Sequence, residues 1–175
     1  MTQYSKRMVI AHWLTLLLLV IAWRYGDSLA ELTDHSKATI AAYGWHILAG
    51  GSVLLLTAAR LFFRSKDGTP PAMGQTTMDK IAKGTHHLLY TLLFVLPLSG
   101  LITVLTSDVL KGLLAGDANL LPKEDGFEKV FAHEVHEVLV NVLIAVAVLH
   151  ILGAIKHQFI DKDGLMQRMM LRRKN

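Results

Sequence analysis

Four stretches of the chain, Met8–Trp23, Ile40–Ala59, Leu88–Thr106 and Val138–Ile155, carry no Asp, Glu, Lys or Arg. Each is close to the ~20 residues that cross a bilayer as a helix. In hydrocarbon a single such segment can pair all its backbone groups only by becoming helical. These runs therefore predict an all-α fold, a four-helix transmembrane bundle forming one domain over residues 1–175. Its helices are expected at about 8–25, 40–63, 81–106 and 130–157, with limits uncertain by a few residues. Composition agrees, because 52% hydrophobic and 18% charged residues are too apolar a mixture for a water-soluble domain of this length.

The first run also has the look of a secretory leader, since Lys6 and Arg7 precede it and Ser28-Leu29-Ala30 resembles a signal-peptidase site. His12 and Trp13 inside the apolar stretch favour a retained span. Thirteen of the Lys and Arg residues fall in the N-terminus, the Arg60–Lys83 connection and the tail from Lys156, against five on the alternate side. That bias predicts that both termini are cytoplasmic. Trp13, Trp23, Tyr25, Tyr43, Trp45 and Tyr90 fall near span ends, where amphipathic rings suit the interface. Gly68-Thr69-Pro70-Pro71 reads as an exposed loop leading to a helix near Met78. The Ser107–Lys129 connection is expected to hold a short helix on the outer face, and the basic tail Arg168–Lys174 to rest on the anionic inner leaflet.

The net charge of +4 does not point to nucleic acid, because the basic residues flank apolar runs instead of lining a polar groove with aromatics. The absence of cysteine excludes covalent CxxCH haem, thiolate iron–sulfur clusters, CxxC zinc sites and disulfides. Nine histidines are left for redox or metal chemistry. Two of them lie in His133-Glu134-Val135-His136-Glu137, which lacks the HExxH spacing of a zinc protease, and His35 sits in a polar loop without evident chemistry.

Ionisable groups inside a span face the bundle interior and need partners, so His12, His46 and His150 demand explanation. An interhelical hydrogen bond is the simple one. His136 and His150, fourteen residues apart, are separated on a helix by about 21 Å along the axis and only about 40° around it. One helix thus offers an imidazole at each side of the membrane. His46 shares the outer level with His136, and His12 the inner level with His150. Two b haems, each clamped by imidazoles from different helices, would satisfy all four residues. Ala49-Gly50-Gly51 and Gly100 are small enough for a flat ring to approach the backbone, or simply for helices to pack. Spacing leaves the inner ligands open, since His86, His87 and His157 also lie on the cytoplasmic side.

YSKRMVIAHWL at the N-terminus, HxLAGG in the second span, HHLLYTLLFVLPLSG in the third and VHEVL leading to LH in the fourth occur together and in order. This set resembles the prokaryotic cytochrome b561 family over nearly the whole chain. The resemblance implies four transmembrane helices, two haem b groups and axial ligands at His12, His46, His136 and His150. Val135 departs from the pattern, in which a Trp commonly precedes the outer histidine; packing changes there but the ligand remains.

The resemblance further implies transmembrane electron transfer with a quinone, and one branch oxidises superoxide at the periplasmic face and reduces ubiquinone near the inner haem. Superoxide, or another one-electron donor, and ubiquinone are thus the expected substrates, with membrane lipid as surroundings and no obligatory protein partner. Lys111, Lys123 and Lys129 could draw a small anion to the outer side, although Asp108, Asp117, Glu124, Asp125 and Glu128 weaken that field. His86 and His157 are the expected quinone contacts, with His87 in reserve. Arg60 and Arg64 suit haem propionates or positive-inside anchoring equally. A cytochrome b subunit passing electrons from a dehydrogenase or hydrogenase to quinone is the redox alternative. A cofactor-free transporter or assembly factor is the alternative of another class, and it would be colourless.

Overall fold

The computed structural model describes residues 3–31, 37–71, 74, 76–122, 127 and 130–171. Its main helices are α1 (Lys6–Glu31), α2 (Lys37–Asp67), α3 (Thr77–Thr106), α4 (Val109–Ala115) and α5 (Phe131–Lys156). All but α4 are long and apolar enough to cross a membrane. The long helices overrun the uncharged stretches because polar flanks continue the same backbone ladder beyond the hydrocarbon layer. His35, Lys123, Lys129, Glu124, Asp125, Glu128 and the tail residues Arg172, Arg173 and Lys174 lie outside the described residues.

Helix α3 begins at a capping box: Asp79 N–H donates to Thr76 Oγ1, and Thr76 N–H donates to Asp79 Oδ2 at 2.8 Å. Short α4 stops at Gly116, whose left-handed φ of 64° returns the last N–H to the helix. Behind it Leu121 is buried in a notch that only glycine leaves open, since a Cβ on Gly112 would lie 2.7 Å from Leu121 Cδ2. This segment caps the end of the bundle remote from the start of α1, and Tyr43 Oη donates to Pro122 O at 3.4 Å.

The long helices associate as two pairs, α1 along α2 and α3 along α5, joined chiefly where α2 meets α3. Val53, Leu92, Leu93, Leu96, Leu143 and Val146 form the core that joins them. Helix α5 makes little direct contact with α1 or α2. Most remaining leucines, isoleucines and valines are exposed, as expected where lipid replaces water.

The inner end is tied by the C-terminal segment. After α5 the chain makes one π-helical turn (His157–Asp161), reverses through left-handed Lys162 and Gly164, and ends in a 3₁₀ turn (Leu165–Met169). That turn crosses the start of α1: Tyr4 N–H donates to Arg168 O, Gln3 Nε2 to Gln167 O, and Trp13 Nε1 to Met169 O at 3.0 Å. Arg168 also donates to Pro71 O at 2.6 Å. Arg7 pairs in bidentate fashion with Asp67, closing α1 against the end of α2.

Candidate haem site

The histidines singled out in the sequence meet across helices. His46 of α2 and His136 of α5 have ring centres 6.0 Å apart, and His12 of α1 and His150 of α5 have theirs 6.3 Å apart. A metal–imidazole bond of about 2 Å, plus about 1.1 Å from nitrogen to ring centre on each side, puts two axial rings about 6.2 Å apart. Both pairs match that gap. His86 approaches His150 more closely, with centres 5.1 Å apart, which leaves too little room for a metal between them. His87 is exposed and its Nδ1 hydrogen-bonds to Lys83 O in its own helix.

The outer pair is oriented by its surroundings. His46 Nδ1 lies 2.8 Å from Ala22 O, and His136 Nδ1 lies 3.1 Å from Leu96 O and 3.0 Å from Ser99 Oγ. A carbonyl only accepts, so Nδ1 carries the proton in each ring and Nε2 is left with its lone pair. Ser99 uses its own hydroxyl hydrogen on Leu96 O, at 2.7 Å. Two glycines press on these rings from behind: a Cβ on Gly26 would lie 3.0 Å from His46 Cε1, and one on Gly100 2.9 Å from His136 Cε1. Gly100 thus makes room for an imidazole, whereas the sequence suggested room for the cofactor. Gly26 and Ser99 carry no local signal, because each matters only through a ring on another helix.

On the open side the arrangement is spacious. Gly50 is one turn from His46, and Gly153 is three residues beyond His150. Both are half-buried, yet a Cβ on either would meet nothing within 4 Å. Together with the scarce contact of α5 with α1 and α2, this leaves open space beside both glycines that a flat macrocycle could occupy.

The inner pair has different neighbours. Trp13 meets His12 edge-on, with ring centres 5.4 Å apart. Arg60 NH2 lies 3.3 Å from His12 Nδ1, and its guanidinium sits 5.0 Å from the Tyr90 ring. A guanidinium only donates, so this contact makes Nδ1 the acceptor; a metal on Nε2 would move the ring proton to Nδ1 and free Arg60 for another acceptor. Arg60 Nε is buried without a partner, and no carboxylate pairs with Arg60 among the described residues. A buried cation in that state fits a propionate. Arg64, by contrast, is exposed. The residues present therefore suit a haem on three counts: paired imidazoles with ring-centre gaps that fit a shared metal, open space beside Gly50 and Gly153, and a half-buried cation with no carboxylate partner among the described residues.

Residues 3–171 match the family described as Prokaryotic cytochrome b561. The chain belongs to that family. Its relatives include Cytochrome b562 of Cereibacter sphaeroides, 27% identical over 171 residues, with 95% of this chain and 94% of that protein aligned. Cytochrome b561 homolog 1 of Escherichia coli K12 is 26% identical over 176 residues, covering 99% of this chain and all of its counterpart. Probable superoxide oxidase CybB of Yersinia pestis is 29% identical over 178 residues, 96% of each chain. As a cytochrome b561-family member, the chain is a membrane protein that binds haem b and transfers electrons.

His157 follows α5 at the inner end, half-buried, with Nδ1 2.5 Å from Asp163 Oδ2. His133, one turn before His136, stacks flat on buried Phe127, with centres 4.2 Å apart. That contact belongs to the outer cap.

Proposed function

We propose that the chain moves electrons one at a time across the bacterial inner membrane, from superoxide at the periplasmic face to ubiquinone at the cytoplasmic side. In this reading His46 and His136 would hold an outer haem b, and His12 and His150 an inner one. The two haems supply reversible one-electron chemistry at two depths. The observation that carries the proposal is the pair of cross-helix imidazole gaps, 6.0 and 6.3 Å, at the two ends of one face of α5.

Ala22 O, Leu96 O and Ser99 hold the outer rings in one tautomer and one orientation, which keeps ligation strong and geometry fixed through a redox cycle. Leu92, Leu93, Leu96, Leu143 and Val146 keep water out of the layer between the two levels. The matching of a relative named as a probable superoxide oxidase supports superoxide as the donor. Lys111, exposed on α4, and Arg24, exposed on α1, are cations on that side. At the other end His86 lies beside the inner pair and His157 about two turns beyond His150, which supports both as hydrogen-bond partners of a quinone oxygen. The bias of Lys and Arg supports a cytoplasmic location for both termini.

The test is ubiquinone reduction by the purified, haem-loaded protein under a flux of enzymatically generated superoxide, with superoxide dismutase as control. Dismutase-sensitive quinol formation is expected. A fully loaded preparation that forms none would remove superoxide as donor and leave the electron-transfer role. A pyridine haemochrome assay should give two haems per chain; one would end the two-station reading.

A further inference from the structure

The chain takes unusual backbone conformations just past α5. The helix loosens into a π turn over His157–Asp161, and Lys162 then adopts a left-handed φ of 52°, a region where a side chain is disfavoured. Gly164 follows with φ 78°. The result is that Asp163 folds back onto the helix it has just left. Its Oδ1 accepts from Leu165 N–H at 2.9 Å, which fixes the carboxylate, and its Oδ2 meets His157 Nδ1 at 2.5 Å.

Asp161 would be the simpler partner, being one helical turn from His157, but its nearest oxygen stays 3.4 Å from the ring. Both of its oxygens are taken by Lys156 Nζ, at 2.8 and 2.6 Å. That pairing also argues against a cation held by His157, Asp161 and Asp163, since a lysine already balances one of the two carboxylates. Loss of solvent pushes the Asp163 carboxyl up, but the Leu165 N–H and the His157 ring outweigh it and hold it below the usual carboxylate range. Asp163 is thus an ionised acceptor dedicated to one ring nitrogen.

We propose that Asp163 is a positioning residue for proton delivery to quinone: it holds the Nδ1 proton of His157, fixing tautomer and ring angle, so that Nε2 faces the quinone oxygen. This inference rests on the reading of His157 as a quinone contact. Reducing one quinone takes two electrons, arriving singly from the haem side, and two protons from the cytoplasmic side. His157 supplies one proton. The Nε2–H bond of the imidazolium breaks, the quinol O–H bond forms, and the neutral ring keeps Nδ1–H on Asp163. The Asp163 carboxylate stays ionised throughout and stabilises the imidazolium that precedes transfer. Water at the exposed edge of the ring restores the proton, and the second quinol proton also comes from water. The charges around the ring are Lys156, Asp161 and Asp163 on its own segment and Asp79 at the start of α3.

The test uses the full, haem-loaded chain. Dithionite-reduced haem is mixed with a short-chain ubiquinone and its reoxidation followed by stopped flow across pH 5 to 9, about the range in which histidine titrates. Asp163→Asn should slow reoxidation about tenfold to a hundredfold at unchanged haem content, spectrum and midpoint potential, with little change in the quinone concentration for half-maximal rate. Asp163→Glu should recover most of the rate. Wild-type kinetics in Asp163→Asn would overturn the proposal, as would a loss that Asp163→Glu shares equally. His157→Gln separates the two layers of the reasoning: if it reacts with quinone normally, the quinone placement itself fails. If it is slow while Asp163→Asn is fast, only the positioning role falls.

Discussion

Gly100→Ala adds one methyl group behind the outer histidine. The new Cβ would lie 2.9 Å from His136 Cε1 and 3.2 Å from Nδ1, while ordinary contact begins at 3.4 Å. His136 must therefore retreat by roughly half an ångström, and metal–ligand distances tolerate only about 0.2 Å. The retreat also disturbs the 3.1 Å contact with Leu96 O and the 3.0 Å contact with Ser99 Oγ. Overpacking of this kind costs about 1–3 kcal/mol, which corresponds to about fivefold to more than a hundredfold weaker retention of the outer haem. The substitution alone should favour the helix by about 1 kcal/mol, because alanine is the better helix former. Gly84→Ala, in the same helix with nothing within 4 Å, isolates that gain. Haem content by pyridine haemochrome and transfer of haem to an apo-globin acceptor measure retention. Full content with wild-type transfer kinetics in Gly100→Ala, indistinguishable from Gly84→Ala, would refute the reasoning.

Gly50→Val should lower haem content while leaving the helical content of the haem-free chain intact, since its side chain would enter open space and meet only the cofactor; normal loading would show that the cofactor lies elsewhere. Arg60→Gln should lower the midpoint potential of one haem and spare the other, because a cation beside the inner pair favours the reduced form. Spectroscopic redox titration would show the drop, about 60 mV for each 1.4 kcal/mol lost, and equal shifts in both haems would contradict the placement. Asp163 is held below its ordinary value, so the turn it anchors is fully stabilised above the unfolded carboxylate value and loosens as pH falls through the lowered one. Hydrogen exchange at Leu165 N–H should accelerate only below about pH 4; acceleration between pH 5 and 7 would point to a different titrating group.

Much of this architecture was legible in the residues. The four spans follow from uncharged length, and the two imidazole levels follow from helical rise along a single segment holding His136 and His150. What escaped were contacts set by other helices. Gly26 touches His46 from α1, and Ser99 reaches His136 from α3, at separations in sequence that no periodicity encodes. The Asp163–His157 bond depends on a π turn and a left-handed lysine, both of which run against local propensity. His86 and His87 are adjacent and chemically alike, so only the rotation of α3 directs His86 toward His150.

The 3₁₀ turn that ties Tyr4, Gln3, Trp13 and Pro71 together is translated after every membrane span. During biogenesis the start of α1 and the loop at Pro71 accordingly lack this tie for as long as that stretch remains in the ribosome.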